Sequence, residues 1–238
     1  MKTVITAIAL RTVKYSDRTS ILSVYSARQG RMSLAVPAGT GRSATRMRAL
    51  LMPMAVFEGT ADLRPGREIS PVSDVRAITL PAANNPMASI VAMFLADLLQ
   101  GLLREPMVDE ALFACLADTS ERLFRADCAT LSNFHIAFII RLLHFIGIEP
   151  DWSTYLPGSY FDMTGGIFRL FRPTHPHFLP PAEADAAYHL RRISLQNCRR
   201  FHYTRFERNL LTDRLIAYLR LHFPTLPQPA SLQVLRSL

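Results

Sequence analysis

The spacing of apolar residues changes once along this chain, and the change divides it. Through the first eighty residues the pattern has the two-residue period of half-buried strands. In RMSLAVP (31–37), Met32, Leu34 and Val36 alternate with Arg31, Ser33 and Ala35. SILSVYS (20–26) puts Leu22 and Val24 on one face and Ile21, Ser23 and Tyr25 on the other; TAIALRTVKY (6–15) is dense in apolar and β-branched residues. RQGR (28–31) centres a turn on Gly30, and RPGREI (64–69) carries the turn pair Pro65-Gly66. Several short strands with no room for helical crossovers predict a small closed barrel of antiparallel strands.

From Pro86 the period becomes helical. Met87, Ile90, Val91, Phe94, Leu95, Leu98, Leu99 and Leu102 recur at three and four, with Asn85 placed to cap and Pro86 in the first turn. A second helix is expected over about 109–125, its inner face built by Leu112, Phe113, Leu116, Ser120, Leu123 and Phe124. A third, over about 132–146, is apolar almost all round and belongs in the middle of a bundle. Gly147 ends it. Residues 148–181 are rich in proline, glycine and aromatic side chains and lack helical period, though FDMTGGIF (161–168) reads as a short hairpin. Helices resume near 182, and the last long one runs over about 204–222 and stops at Pro224. The pattern therefore predicts an α+β chain. A barrel over 1–80 is followed by an α-helical domain over 81–238 that carries a small irregular insertion at about 148–181. The boundary falls near Leu80–Asn85.

Charge adds a second division. The 238 residues carry a formal net charge of +8, and nearly half of them are apolar, so a folded core and a polyanionic partner are both expected. Residues 1–80 are net +7, residues 81–190 net −6 and residues 191–220 net +6. Two basic blocks flank an acidic middle, a segregation that solubility alone does not require. Cys115, Cys128 and Cys198 lie far apart, which suits a reducing cytoplasm and neither a disulfide framework nor a zinc ribbon. The N-terminus lacks the long apolar core of a signal peptide. The apolar stretch 86–103 contains Asp97 and Gln100 and reads as a core helix, so no membrane contact is expected.

The chemistry resolves around arginine. GTGRSATRMR (39–48) places Arg42, Arg46 and Arg48 among glycines and small polar residues with no acid nearby. It is not a phosphate-binding P-loop, because the spacing is wrong and the lysine is missing. A flexible loop of this kind suits bidentate guanidinium contacts to a nucleic-acid backbone. Lys14, Arg18, Arg28 and Arg31 belong to the same basic block. In the second block, Arg192, Arg199 and Arg200 stand near multiples of helical spacing and are expected to share a face, read as a second DNA-binding surface with an acidic-peptide surface or a solvated face as the alternatives. Tyr15, Tyr25 and Phe57 are possible platforms for unpaired bases, and Tyr25 is the preferred one because it alternates away from Leu22 and Val24. His175 and His177, across a proline and with no nearby cysteine, are weak as metal ligands, and His135 and His144 are read as core or edge histidines. No nucleophile elbow, zincin helix or convincing carboxylate pair is present, so no catalytic residue, metal or cofactor is assigned.

Three stretches resemble the bacterial RecO family of recombinational DNA repair. AIALRTVKYSDRTSILSVYSARQGRMSLAVPAGTGRS (7–43) is similar to the family's opening of strand, polar turn, "ILxVYS" strand, Gly-Arg and basic Gly/Ser loop. RLLHFIGIEPDW (141–152) resembles its central helix end, and YLRLHFPTLPQPASLQVLRSL (218–238) its closing segment. The resemblance implies an N-terminal OB-fold and a helical domain in a non-enzymatic, cytoplasmic, nucleoid-associated mediator. Such a protein binds single- and double-stranded DNA, anneals complementary strands and helps load recombinase onto strands coated by single-strand-binding protein. It implies two partners, RecR and the C-terminal tail of single-strand-binding protein, and a DNA role for Arg42 and its neighbours. One departure stands out. Many family members carry a four-cysteine zinc module after the central helix, whereas 151–170 contains no cysteine. No zinc is expected, and Trp152, Tyr155, Tyr160, Phe161 and Phe168 are expected to hold that subdomain. The alternative function is an adaptor whose helical domain binds an acidic peptide tail, with DNA contact secondary.

Overall fold

The computed structural model describes residues 2–79, 85–104 and 106–237. The chain forms two compact units, Met1–Ala126 with Gln228–Ser237, and Asp127–Pro227. The expected boundary near residues 80–85 falls almost wholly outside the described residues.

The first unit contains the barrel. Its strands are β1 (Lys2–Lys14), β2 (Thr19–Ser26), β3 (Gly30–Pro37), β4 (Val56–Asp62) and β5 (Ile69–Ala77). They close in the order β1-β2-β3-β5-β4, antiparallel except for the β3–β5 pair. Alternation drives this closure. Ile5, Ala7 and Ala9 of β1, Leu22 and Val24 of β2, and Leu34 and Val36 of β3 all point into one core with Phe57 and Ala61. A register shift between Ala9 and Arg11 bends β1 so that it can pair with both β2 and β4. α1 (Arg42–Leu50) joins β3 to β4, and Met47, Leu50 and Leu51 pack on the barrel core.

Helices α2 (Pro86–Leu102) and α3 (Glu110–Arg125) complete this unit with α7 (Leu232–Leu235). Asn85 caps α2 by accepting from the Ala88 N–H, and Pro86 fills the first turn, as its spacing predicts. Asp97 on the otherwise apolar α2 accepts the Ser231 N–H at 3.0 Å and the Ser231 hydroxyl at 2.6 Å.

The second unit is built on α4 (Cys128–Phe145) and α6 (Arg205–His222). α4 starts four residues before the apolar run suggests, because Asp127 caps it through the Thr130 N–H at 2.8 Å. By length and composition α4 is apolar enough to cross a membrane, but more than half of it is buried inside the unit. Gly147, at φ +73°, ends it. The irregular insertion is a three-stranded sheet in the order β7-β6-β8, with β6 (Tyr160–Asp162), β7 (Ile167–Arg169) and β8 (Phe178–Leu179). It is followed by α5 (Pro181–Leu190). Phe168 is its aromatic centre, with Tyr155, Phe161 and Trp152 at 5.3, 4.9 and 6.3 Å between ring centroids. Polar contacts share the task. Asp162, almost fully buried, accepts the Thr164 and Gly165 N–H groups at 3.0 Å and pairs with Arg169 at 2.9 Å and His175 at 3.2 Å.

Candidate nucleic-acid interface

The segment that reads as a flexible basic loop is largely a helix. Only 38–41 is loop; α1 begins at Arg42, with Gly41 at the cap position. Ala44, buried, and Met47 and Leu50 line its inner side at spacings of three, which puts Arg42 and Arg46 on the outer side four residues apart. Both are exposed and have no acid partner among the described residues. Arg42 adds a positive charge to the end of the helix that is already positive, and the first turn holds no acid to offset it.

Arg48 behaves differently. Its guanidinium turns back, donating to the Gly39 carbonyl at 2.9 Å and to the Thr45 hydroxyl at 3.2 Å. It fastens the loop to the helix and, with Lys14, Ser20 and Gly39, lines a cleft of about 150 Å³. Lys14 pairs with Asp17 at 2.9 Å, both side chains well exposed, and such a pair is easily exchanged for another anion. Arg18 and Arg28 are exposed in the turns flanking β2.

Arg31 is only half exposed. It donates to the Leu103 carbonyl at 3.2 Å, and burial lowers its pKa. Its charge is spent on packing at the end of α2. The block's net charge is also trimmed, because Arg64 and Arg67 share Asp62 and Arg76 pairs with Glu58. Among the described residues, the exposed arginines of this block left with neither an acid nor an internal acceptor are Arg11, Arg18, Arg28, Arg42 and Arg46; Arg48 also lacks an acid but is held by Gly39 and Thr45. Arg11 gives no separate signal in the sequence, because it sits inside a run that reads simply as strand.

The preferred stacking platform needs correction. Tyr25 does alternate away from Leu22 and Val24, but its ring is 2% exposed and offers no face to a base. It stacks toward Phe113 at 6.5 Å, and its hydroxyl donates to the Met107 carbonyl at 3.3 Å; burial, first of all, raises its pKa. Phe57 is fully buried in the barrel. Tyr15, beside Lys14 and 71% exposed, is the one of the three whose ring is open to solvent.

The second basic block also differs from its helical reading. α5 ends at Leu190, and residues 191–197 turn sharply before a single 3-10 turn, Cys198–Arg200. Asn197 makes that bend, accepting from the Ser194 N–H and donating to the Arg192 carbonyl, both at 2.8 Å. No continuous helix therefore aligns Arg192 with Arg199 and Arg200. Arg199 lies 3.3 Å from Asp127, whose carboxyl is lowered chiefly by its bonds to Thr130 and further by Arg199. Arg192 and Arg200 are exposed, with no acid partner among the described residues.

His175 and His177 stack with ring centroids 6.2 Å apart, and His175 is turned to Asp162. No group of three or more His, Cys, Asp or Glu side chains among the described residues is arranged to hold a metal ion. Cys115 and Cys198 are buried and Cys128 is exposed, all three as free thiols.

A five-stranded closed barrel with exposed arginines at its turns and on its connecting helix, in a chain completed by helices, defines an OB-fold protein with an α-helical C-terminal part. Its relatives narrow the class. The family model described as "Recombination protein O N terminal" matches residues 1–81. The DNA repair protein RecO of Phocaeicola vulgatus is 34% identical over 97% of this chain and 96% of its own length. The protein of the same name from Bacteroides fragilis is 32% identical over the same shares, and that of Flavobacterium johnsoniae 26% identical over 98% and 97%. The chain belongs to the RecO family.

Proposed function

We propose that this protein is a mediator of DNA repair and recombination that works in the cytoplasm by holding DNA rather than by cleaving it. The observation that carries the reading is the full-length match to RecO proteins, joined to a barrel with exposed arginines that no acid engages among the described residues. Arg42 and Arg46 on α1, with Arg18 and Arg28 at the β2 turns, would take backbone phosphates. Two strands whose charge is neutralised in this way can approach and pair. RecR and the tail of single-strand-binding protein are proposed as its partners in loading recombinase.

A salt-dependent annealing assay, run with and without single-strand-binding protein, tests this. Annealing should be accelerated at low salt and lost steeply as salt rises, because binding releases counterions from the strands and added salt opposes that release. Absence of binding to an unstructured oligonucleotide at low salt would overturn it.

One observation favours a second reading, an adaptor for an acidic peptide. The second unit has an apolar pocket lined by Leu143, Phe161, Leu210, Leu211 and Leu215, with the Arg214–Glu183 pair at 2.7 Å among its lining residues. Charge reversal at Arg42 and Arg46 separates the two. An adaptor keeps peptide affinity and its activity, whereas a DNA mediator loses annealing. Arg48 is best left out of that variant, since it holds the loop.

A further inference from the structure

The β7–β8 connection, residues 170–177, sets large apolar side chains in water on a loop that is pinned at both ends. At one end Arg169 is held by Asp162 at 2.9 Å. At the other, His175 lies 3.2 Å from the same carboxylate and accepts the His177 N–H at 3.2 Å. Pro173 and Pro176 stiffen the chain between. Arg172 lies over the Phe178 ring, 5.2 Å from its centroid. On this fastened loop Phe171 is 83% exposed and Leu170 59% exposed. Leu170 and Phe171 are adjacent, so they form a small contiguous apolar patch on a fastened loop, and a patch, unlike a lone exposed side chain, is the feature that marks a contact.

The surroundings say what the contact is. From Met163 to Ala182 the chain has two arginines and two histidines and no acid. The carboxylate just before this run, Asp162, is buried and already engaged by Arg169 and His175. Arg172 has no acid partner among the described residues, and its stacking on Phe178 leaves the edge of the guanidinium open to an anion. A cleft of about 620 Å³ lies between these groups, lined by Arg172, Thr174 and His175 as well as Leu170 and Phe171, with Asp162 and Arg169, already paired with each other, also in its wall. A flat apolar ring, an unpaired guanidinium and polar groups around one concavity match a nucleotide: base, phosphate and base edge.

We propose that this loop is a docking site for single-stranded nucleic acid, in which a base stacks on Phe171 and the adjoining phosphate pairs with Arg172. The inference rests on the DNA-binding reading above and adds to it a contact outside the barrel.

The test uses the full chain and a labelled oligothymidylate, followed by anisotropy across a range of salt. Phe171→Ala should weaken binding about fivefold or more, as loss of one stacked base does, with the salt slope unchanged. Arg172→Ala should shallow the slope by about 0.7. Phe171→Trp should keep affinity, and its emission in excess of the wild type, whose one tryptophan is Trp152, should be quenched as the oligonucleotide saturates. Both positions are exposed, so these variants are expected to fold. If the wild type binds and Phe171→Ala binds equally well, this inference falls and the wider reading survives. If the wild type does not bind at low salt, both fall. If the emission of the Phe171→Trp variant shifts with anionic phosphatidylglycerol vesicles and not with the oligonucleotide, the loop is a membrane contact and the proposal is overturned.

Discussion

The alpha carbon of Gly30 faces the carbonyl of Met107 so closely that an added Cβ would stand 2.5 Å from the Met107 oxygen. Gly30 also has φ +64°, in the region that favours glycine. The β2–β3 turn and the chain before α3 are thus fitted backbone to backbone, and the hydroxyl of Tyr25 donates to the same Met107 carbonyl. This contact is what closes Tyr25 away from solvent.

Gly30→Ala should therefore cost more than an ordinary glycine replacement. Gly66, at φ +77° with nothing near its missing Cβ, is the control. Gly66→Ala carries only the left-handed strain, about 1 kcal/mol. Gly30→Ala adds the clash and should cost about 2 kcal/mol or more in urea unfolding. Equal losses in the two variants would remove the close-contact account.

The Asp97–Ser231 bonds fasten the C-terminal segment to α2 across 134 residues of sequence. Truncating Asp97 to Ala leaves the Ser231 N–H and hydroxyl without that acceptor, at about 1–3 kcal/mol. The expected signature is local: hydrogen exchange should quicken over residues 231–236, while the amides of β1–β3 keep most of their protection. Unchanged exchange at the C-terminus would show that the apolar contacts of Leu232 and Leu235 suffice.

His135 gives a prediction about pH. It is fully buried on α4; its Nε2 lies 2.9 Å from the Thr212 hydroxyl, which itself donates to the Arg208 carbonyl at 2.7 Å. With that proton committed, the hydroxyl oxygen accepts and His135 is the donor. Burial first, and Arg208 next, push its pKa down to about 3. In the unfolded chain it titrates near 6.5. Between these values unfolding takes up a proton, so stability is full above about 6.5 and falls as the pH drops toward 3. The slope contributed is at most about 1.4 kcal/mol per pH unit. His135→Gln keeps a donor for Thr212 and removes the titration. Its stability should fall less steeply than the wild type between pH 6.5 and 4.5, and parallel curves would contradict the assignment.

The barrel and the main helices were legible because burial imposes a period on the sequence, two for Leu22 and Val24 and 3.6 for Val91, Phe94, Leu95 and Leu98. What escaped was set by residues distant in sequence or by single polar bonds. Alternation says that Tyr25 leaves the barrel interior, but not that a segment eighty residues later covers the far face. α1 was hidden because its inner side is only Ala44, Met47 and Leu50, too short and too mixed with arginine to show a stripe. The spacing of Arg192, Arg199 and Arg200 aligns them only on a continuous helix, and the Asn197 side chain bends the chain aside. Charge had the converse limit. Composition counted Arg31, Arg64, Arg67 and Arg76 with the rest, and only geometry separates arginines that are spent on carbonyls and carboxylates from those left open.

That separation makes a last prediction, since it assigns different work to two kinds of arginine in one basic block. Arg42 and Arg46 are exposed and unpaired among the described residues, so each phosphate they neutralise should add about 0.7 to the salt slope of single-strand binding. Replacing both with alanine should shallow the slope by about 1.4 and leave urea stability within about 0.5 kcal/mol of the wild type. Arg31 is half buried against the Leu103 carbonyl, and its removal strips a hydrogen bond and packing from the end of α2. Arg31→Ala should lower stability by about 1–2 kcal/mol and leave the slope where it was. The measurement is a pair of plots for each variant, binding against salt and unfolding against urea. If Arg31→Ala moves the slope as far as the α1 pair does, proximity to the barrel, not freedom from internal partners, decides which arginines meet phosphate.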